Sequence, residues 1–226
     1  MRRTLDVVVA SLGLVLGAPV FIAIALVIGV QLGWPVLFRQ VRAGRGGCPF
    51  SIVKFRTMRP PAYHGEADAV RTPPIGHLLR STSLDELPQL WNVLVGDMSF
   101  LGPRPTLPEQ VVHYDDRQRR RLEVRPGITG YAQVKGRNTL SWPERIELDV
   151  WYIDHRSVLL DLWILSTTVV KLLRREGVTG DGGVNQGFPV PHDAATPAGT
   201  AHHSPGRPGE GRRRDEDRRE VPDVVD

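Results

Sequence analysis

Asp85 and Glu86 are adjacent carboxylates within residues 80–105, RSTSLDELPQLWNVLVGDMSFLGPRP, the stretch in which this chain concentrates its reactive groups. Ser81, Thr82 and Ser83 stand before them, Arg80 lies upstream, and Arg104 sits between two prolines downstream. Carboxylates, hydroxyls and guanidinium groups at this density are suited to handling anions. A plainer reading runs beside it. Ser83 followed three residues later by Glu86 is the capping-box pattern, in which the glutamate satisfies a backbone N–H at a helix start. The acids then fall in the first helical turn, where the macrodipole favours ionised carboxylates and bound phosphate. Pro88 offers another helix start, which leaves both acids on the entering loop. Either way they stand at a helix entrance.

Other cations are spaced toward the same chemistry. In SIVKFRTM, strand alternation puts Ile52, Lys54 and Arg56 on one face and Val53, Phe55 and Thr57 on the other. Lys54 and Arg56 read as a solvated strand face or as a phosphate-facing pair, and spacing alone favours the first. Residues 125–138, RPGITGYAQVKGRN, set Arg125, Gln133, Lys135 and Arg137 among glycines that permit a ligand to approach the main chain. No Walker or Rossmann pattern accompanies them. Asp161, near the start of an apolar helix, reads as a cap-region acid or as a ligand to a bound nucleotide. His64 lies in the Pro-rich loop 59–74 and reads as solvated.

The elements that must position these groups begin with an apolar run. Residues 7–38 carry no charge and are dominated by Val, Leu, Ile and Ala, which marks a membrane segment. A cleavable signal peptide fits poorly, because the run is too long and no small-residue cleavage site follows. Straight, residues 7–33 reach about 40 Å, enough to cross a hydrocarbon core of roughly 30 Å with tilt. Broken at Pro19, the halves reach only about 18 to 21 Å each and the chain returns to its starting face. Arg2 and Arg3 precede the segment and Arg39, Arg42 and Arg45 follow it, so the positive-inside rule prefers neither side. Physics leaves a straight span and a re-entrant path open.

Residues 36–42 and 49–58 then read as a β-hairpin. Residues 107–122 have helical character with a basic end, DDRQRRRLE, whose Arg117, Arg119, Arg120 and Arg121 face lipid headgroups or water, the solvated face being the plainer reading. Ser141 with Glu144 forms a second capping box opening a helix to about His155. A last helix runs from about residue 158 to 175, with Arg174 and Arg175 suiting its C-terminal dipole. Trp142, Trp151, Tyr152 and Trp163 form either an interfacial aromatic belt or an ordinary core. Beyond residue 177 large apolar residues are few, and 178–226 reads as a disordered tail.

Charge is split along the chain: residues 1–176 hold 23 Lys+Arg against 16 Asp+Glu, while residues 177–226 hold 6 against 9. The ordered part is therefore the basic part, which suits anionic lipid or nucleotide phosphate. The single Cys48 excludes an internal disulfide and a zinc-type cysteine cluster, which fits a reducing compartment.

With these segments in place, residues 2–176 resemble the monotopic phosphoglycosyl transferases, or bacterial sugar transferases. The resemblance rests on the arginine-flanked apolar segment with its proline, then PVLFRQVRAG, KFRTM, SLDELPQLWNVLVGDMSFLGPRP, RPGITGYAQVKGRN and the Asp161 helix. It implies an α+β monotopic membrane protein with a re-entrant helix-break-helix at 1–35, a catalytic domain at 36–177 built on a β-hairpin and several interfacial helices, and the tail at 178–226. It tips the membrane segment to re-entrant, although the family's Ser-Pro at the break is Ala18-Pro19 here.

The resemblance also implies the chemistry. Asp85 attacks the β-phosphate of a UDP-sugar, releasing UMP and forming a phosphosugar-aspartyl intermediate that undecaprenyl phosphate then attacks, initiating a surface glycan. Glu86 helps to hold Mg²⁺. Lys54, Arg80, Arg104, Arg125 and Arg137 are implied for diphosphate and uridine contacts, and Arg56, Gln133 and Asp161 complete the candidate substrate-binding set. The expected partners are the UDP-sugar, undecaprenyl phosphate and inner-leaflet lipids, with a homodimer left open and no nucleic acid. The expected place is the bacterial cytoplasmic membrane, with catalysis on its cytoplasmic face. A Mg-dependent phosphate-ester hydrolase using the same acids, or an inactive membrane scaffold, are the competing readings.

Overall fold

A 31-residue helix, α1 (Arg2–Leu32), opens the fold and carries Pro19 in its interior. This is a computed structural model, and it describes residues 2–63, 66–136 and 139–174. At 1.5 Å per residue α1 is about 46 Å long. Proline removes one amide donor, yet no non-helical residue separates two halves at Ala18-Pro19. In so apolar a segment, freed carbonyls would have no water to turn to, which favours carrying the helix through.

One stripe of α1 packs inward. Ala10 clusters with Ile52, Val93 and Met98, and Ile28 with Phe55 and Leu79. The remaining face is bare: Leu16 is 76% and Val30 86% exposed. Both ends seat on the same body. Near the start, Arg3 donates to the Val93 and Leu94 carbonyls and Asp6 accepts from the Phe100 amide; near the end, Arg56 donates to the Leu32 and Gly33 carbonyls.

The hairpin follows as read. β1 (Leu37–Ala43) pairs antiparallel with β2 (Pro49–Phe55), Leu37 opposite Phe55 and Ala43 opposite Pro49. The stretch read as loop contains one helical turn, α2 (Asp68–Arg71), and then α3 (Pro74–Ser81), a 3₁₀ turn (Leu84–Glu86) and α4 (Gln89–Val95). β3 (Ser99–Leu101) pairs in parallel with β4 (Gly127–Thr129), joining the two motifs SFLGPRP and RPGIT. Gly102 makes that approach feasible, since a Cβ there would stand 2.9 Å from the Gly127 nitrogen.

The helix expected over 107–122 is three short pieces: α5 (Pro108–Val111), α6 (Asp116–Arg119) and a 3₁₀ turn (Arg120–Glu123). Asp115 is the reason. Its carboxylate takes the Gln118 amide at 2.8 Å and restarts the helix as an N-cap. After α7 (Tyr131–Lys135), the Ser141–Glu144 capping box forms and opens α8 (Trp142–Asp154), followed by α9 (Val158–Arg174). Tyr152 is buried against Val134 and Ile164, whereas Trp151 and Trp163 are 40% and 43% exposed. The aromatic residues therefore divide between core and surface. Residues 175–226, with the tail, lie outside the described residues, as do His64 and Arg137.

Candidate active site

Asp85 and Glu86 occupy the 3₁₀ turn between α3 and α4. The sequence pattern suggested that Ser83 caps this turn, but its side chain makes no capping bond. Ser83 has φ +56°, the described non-glycine residue in the left-handed region, whereas a capping residue takes extended angles that aim its oxygen at the next turn. Such a conformation costs about 1–3 kcal/mol and persists where the surroundings enforce it. Pro88 then precedes α4, so the acids lie on the entering loop. α4 is short, with 7 residues.

Packing brings three cations to them. Lys54, from the C-terminal end of β2, donates to Glu86 Oε1 at 2.6 Å, and Arg104, from the PRP loop after β3, donates to the same oxygen at 2.9 Å. Arg80 reaches the rim through α3. Its Nε donates to Thr57 Oγ1 at 3.2 Å, and α3 lies close to β2 because Gly76 has no Cβ to strike the Thr57 carbonyl. Glu86 and Lys54 are mostly enclosed, with side chains 16% and 19% exposed, while Arg104 is 46% exposed.

This setting separates the two acids. Burial pushes the Asp85 carboxyl up to about 6, and the charge on Glu86 adds to the rise against Lys54, Arg104 and Arg80. Burial also opposes charge on Glu86, but Arg104 and Lys54 outweigh it and hold that carboxyl at about 2. Lys54 itself moves below the ordinary lysine range because burial exceeds the help it receives from Glu86. Glu86 is thus a fixed anion. Asp85, with its carboxyl at about 6, is mostly ionised at pH 7 and makes no direct ion pair with the cations among the described residues. A carboxylate kept ionised but unpaired retains nucleophilic character.

The remaining sequence candidates stand in other contacts. Arg56, on the same strand face as Lys54, caps the end of α1. Arg125 donates from Nε to the Gly96 carbonyl at 2.8 Å and so secures the end of α4 beside Arg3. Asp161 pairs with Arg2 at 2.9 Å and accepts from the Tyr152 hydroxyl at 2.8 Å, tying α9 to the start of α1. Gln133 keeps its buried amide nitrogen and oxygen without partners, near Gly130. Arg137 lies outside the described residues.

Sequence reasoning missed two arginines. Arg42 donates to the Pro105 carbonyl at 3.4 Å. Arg121, read with its neighbours as solvated, is 3% exposed and points inward, while Arg117 and Arg120 do pair at the surface with Glu147 and Asp154. Nothing in the run RQRRRLE distinguishes them.

Mg²⁺ can be tested against the donor set. No cluster of three or more His, Cys, Asp or Glu occurs among the described residues, but Mg²⁺ commonly takes one or two carboxylates and completes its shell with water and substrate phosphates. Glu86 supplies one such carboxylate, since both cations on it bond Oε1 and leave Oε2 for a metal. The residues fit the ion.

A family model described as bacterial sugar transferase matches residues 1–175. The uncharacterised sugar transferase EpsL of Bacillus subtilis (strain 168) is 46% identical over 181 residues, covering 79% of this chain and 90% of that protein. A UDP-glucose:undecaprenyl-phosphate glucose-1-phosphate transferase of Caulobacter vibrioides is 42% identical over 185 residues, covering 76% of this chain and 69% of that one. A protein of the same name in Escherichia coli (strain K12) is 39% identical over 188 residues, covering 76% of this chain but 40% of its own length.

Proposed function

The chain belongs to the bacterial sugar transferase family, and on that premise we propose that it moves a sugar 1-phosphate from a UDP-sugar to undecaprenyl phosphate. The supporting observation is the pair of adjacent carboxylates with different charge states beside Lys54, Arg104 and Arg80. The names of the Caulobacter and E. coli relatives supply the donor and carrier classes.

An Asp85 oxygen attacks the donor β-phosphorus. An O–P bond forms, the bond from that phosphorus to the bridging oxygen breaks, and UMP leaves with the oxygen. A phosphate oxygen of the carrier then attacks the same phosphorus, the aspartyl bond breaks, and Asp85 is regenerated beside a lipid-linked diphosphate sugar. Splitting the transfer makes each step an easier displacement. Arg104, Lys54 and Arg80 pair the anionic oxygens, so that an anion can approach an anionic carboxylate. Glu86 would hold Mg²⁺, which when bound neutralises phosphate charge.

α1 runs unbroken through Pro19 and not as the expected helix-break-helix, so it is read as lying along one leaflet with both ends, and the catalytic body, on the cytoplasmic face of the inner membrane. The contacts of both ends with one body support that reading. α9 turns an apolar face outward through Leu159, Leu162 and Leu173, which suits the lipid boundary.

The test uses purified full-length protein in lipid vesicles with Mg²⁺, undecaprenyl phosphate and a panel of UDP-sugars. UMP release from at least one donor and a phosphosugar adduct on Asp85 are expected. Asp85→Asn should abolish both while leaving membrane association unchanged. An adduct persisting on that variant would place the nucleophile elsewhere.

A further inference from the structure

Arg104 stands on a loop whose carbonyls are all taken. The Pro103 carbonyl accepts from the Gly127 amide at 2.9 Å, Arg104 from Arg121 Nη2 at 3.2 Å, Pro105 from Arg42 Nη1 at 3.4 Å, and Thr106 from the Ala43 amide at 2.9 Å. Four successive residues are thereby fixed by β4, the turn after α6, and β1. The Ala43 and Gly127 donors are buried backbone amides and Arg42 is a half-buried side chain. Arg121, at 3% exposed, is the buried side chain among the four donors.

Arg121 is held on its own account. Nη2 lies 2.7 Å from Asp149 Oδ2 with both side chains 2% exposed, and Nη1 donates to the Tyr114 hydroxyl at 2.6 Å. That hydroxyl in turn lies 3.3 Å from Thr106 Oγ1, so Tyr114 reaches the same loop. Arg121 Nε has no hydrogen-bond partner. As a packing device this is a poor choice. A buried ion pair loses more by desolvation than it commonly regains, and apolar residues of equal volume often do as well or better. What apolar residues cannot do is hold a carbonyl and a hydroxyl from one planar fork.

We propose that Arg121, clamped by Asp149 and Tyr114, is the positioning residue that sets the Arg104 guanidinium against Glu86. The route is continuous: Asp149 on α8 holds Arg121, Arg121 holds the Arg104 carbonyl, and the Arg104 side chain meets Glu86, next to Asp85. Arg121 touches neither reacting acid. Its effect is to keep a solvent-accessible arginine from wandering, so that the cation is in place before phosphate arrives. The inference rests on the transferase reading for its kinetic arm and on geometry alone for its structural arm.

Two variants of the full chain in vesicles test it. Arg121→Met with Asp149→Leu removes both buried charges, and Arg121→Lys keeps the charge but loses the fork. For both, thermal melting should stay close to wild type, kcat for UMP release should fall at least about tenfold, and donor KM should move less than about twofold. Hydrogen exchange at the Ala43 and Gly127 amides, which bond the loop carbonyls, should quicken in both. Wild-type kcat and exchange in a folded Arg121→Lys or double variant would overturn the proposal. So would a loss seen only in KM. If the double variant does not fold, Arg121→Lys decides by the same readouts. If wild-type protein releases no UMP from any donor, the transferase reading fails, and amide exchange still decides whether Arg121 fixes the loop.

Discussion

Lys54 Nζ lies 2.6 Å from Glu86 Oε1, so the lysine bonds one of two neighbouring carboxylates directly and acts on the other only through space. Glu86 is ion-paired and held at about 2, while Asp85 keeps a carboxyl raised to about 6 by burial first and by Glu86 second. Adjacent residues of like chemistry thereby become a fixed anion and a reactive one.

The first consequence is a pH profile. Only ionised Asp85 attacks, and its folded pKa lies above the ordinary aspartate value, so adduct formation should rise with pH through about 6 and level off. At pH 5 the single-turnover rate should be roughly tenfold below its plateau. Stability carries the opposite sign: the contribution of protonated Asp85 is fully present below its unfolded pKa and is lost as pH rises through about 6. Rapid-quench measurement of labelled protein across pH 4.5 to about 8.5 checks this, and a flat profile would remove Asp85 from the step.

Changing either neighbour should move that inflection in a chosen direction. The Glu86 charge raises the Asp85 pKa and Lys54 lowers it. Glu86→Gln should therefore shift the midpoint down, and Lys54→Met should shift it up, each by about half a unit or more. The same quench assay reads both. A common direction for the two variants would mean that the acids and lysine are not electrostatically coupled.

Gly76 carries a structural prediction. A methyl group there meets the Thr57 carbonyl, and backbone has little room to yield. Gly76→Ala should destabilise the fold by about 1–3 kcal/mol, lowering the melting midpoint by roughly 2–4 °C per kcal/mol. Because α3 also carries Arg80, adduct formation should weaken alongside. Differential scanning fluorimetry in detergent and the quench assay measure the two effects.

The path of α1 is settled by labelling its flanks. Cys48 is exposed and is the chain's single cysteine, so Cys48→Ser provides a clean background for Thr4→Cys and Arg39→Cys. Both sites should react with a membrane-impermeant maleimide only when the cytoplasmic face is presented, as in inverted vesicles. Reaction of Thr4→Cys from the periplasmic side would establish a spanning helix.

Much of the local structure was readable before folding. Strand alternation in 36–58 gave the hairpin, and the Ser141–Glu144 pair marked the start of α8. Where polar side chains compete for the backbone, spacing did not decide: Asp115 restarts a helix that periodicity ran straight through, and of the two starts the sequence left open, Ser83 turns its oxygen away from the cap while Pro88 precedes α4. Pairing of β3 with β4 joins segments with no shared pattern, so it could not be seen in either one alone.

By itself the sequence determined the long apolar helix, the hairpin, and the family-bearing acids at a helix entrance, because each is written in composition or in short-range spacing. Tertiary structure decided which charges serve those acids. Lys54 and Arg104 meet Glu86, while Arg56 and Arg125 hold helix ends and Arg121 turns inward to Asp149. An arginine's type and spacing state only that a cation is available. Where its long side chain ends depends on which carbonyls and carboxylates the packed chain brings within reach, and those come from residues distant in sequence.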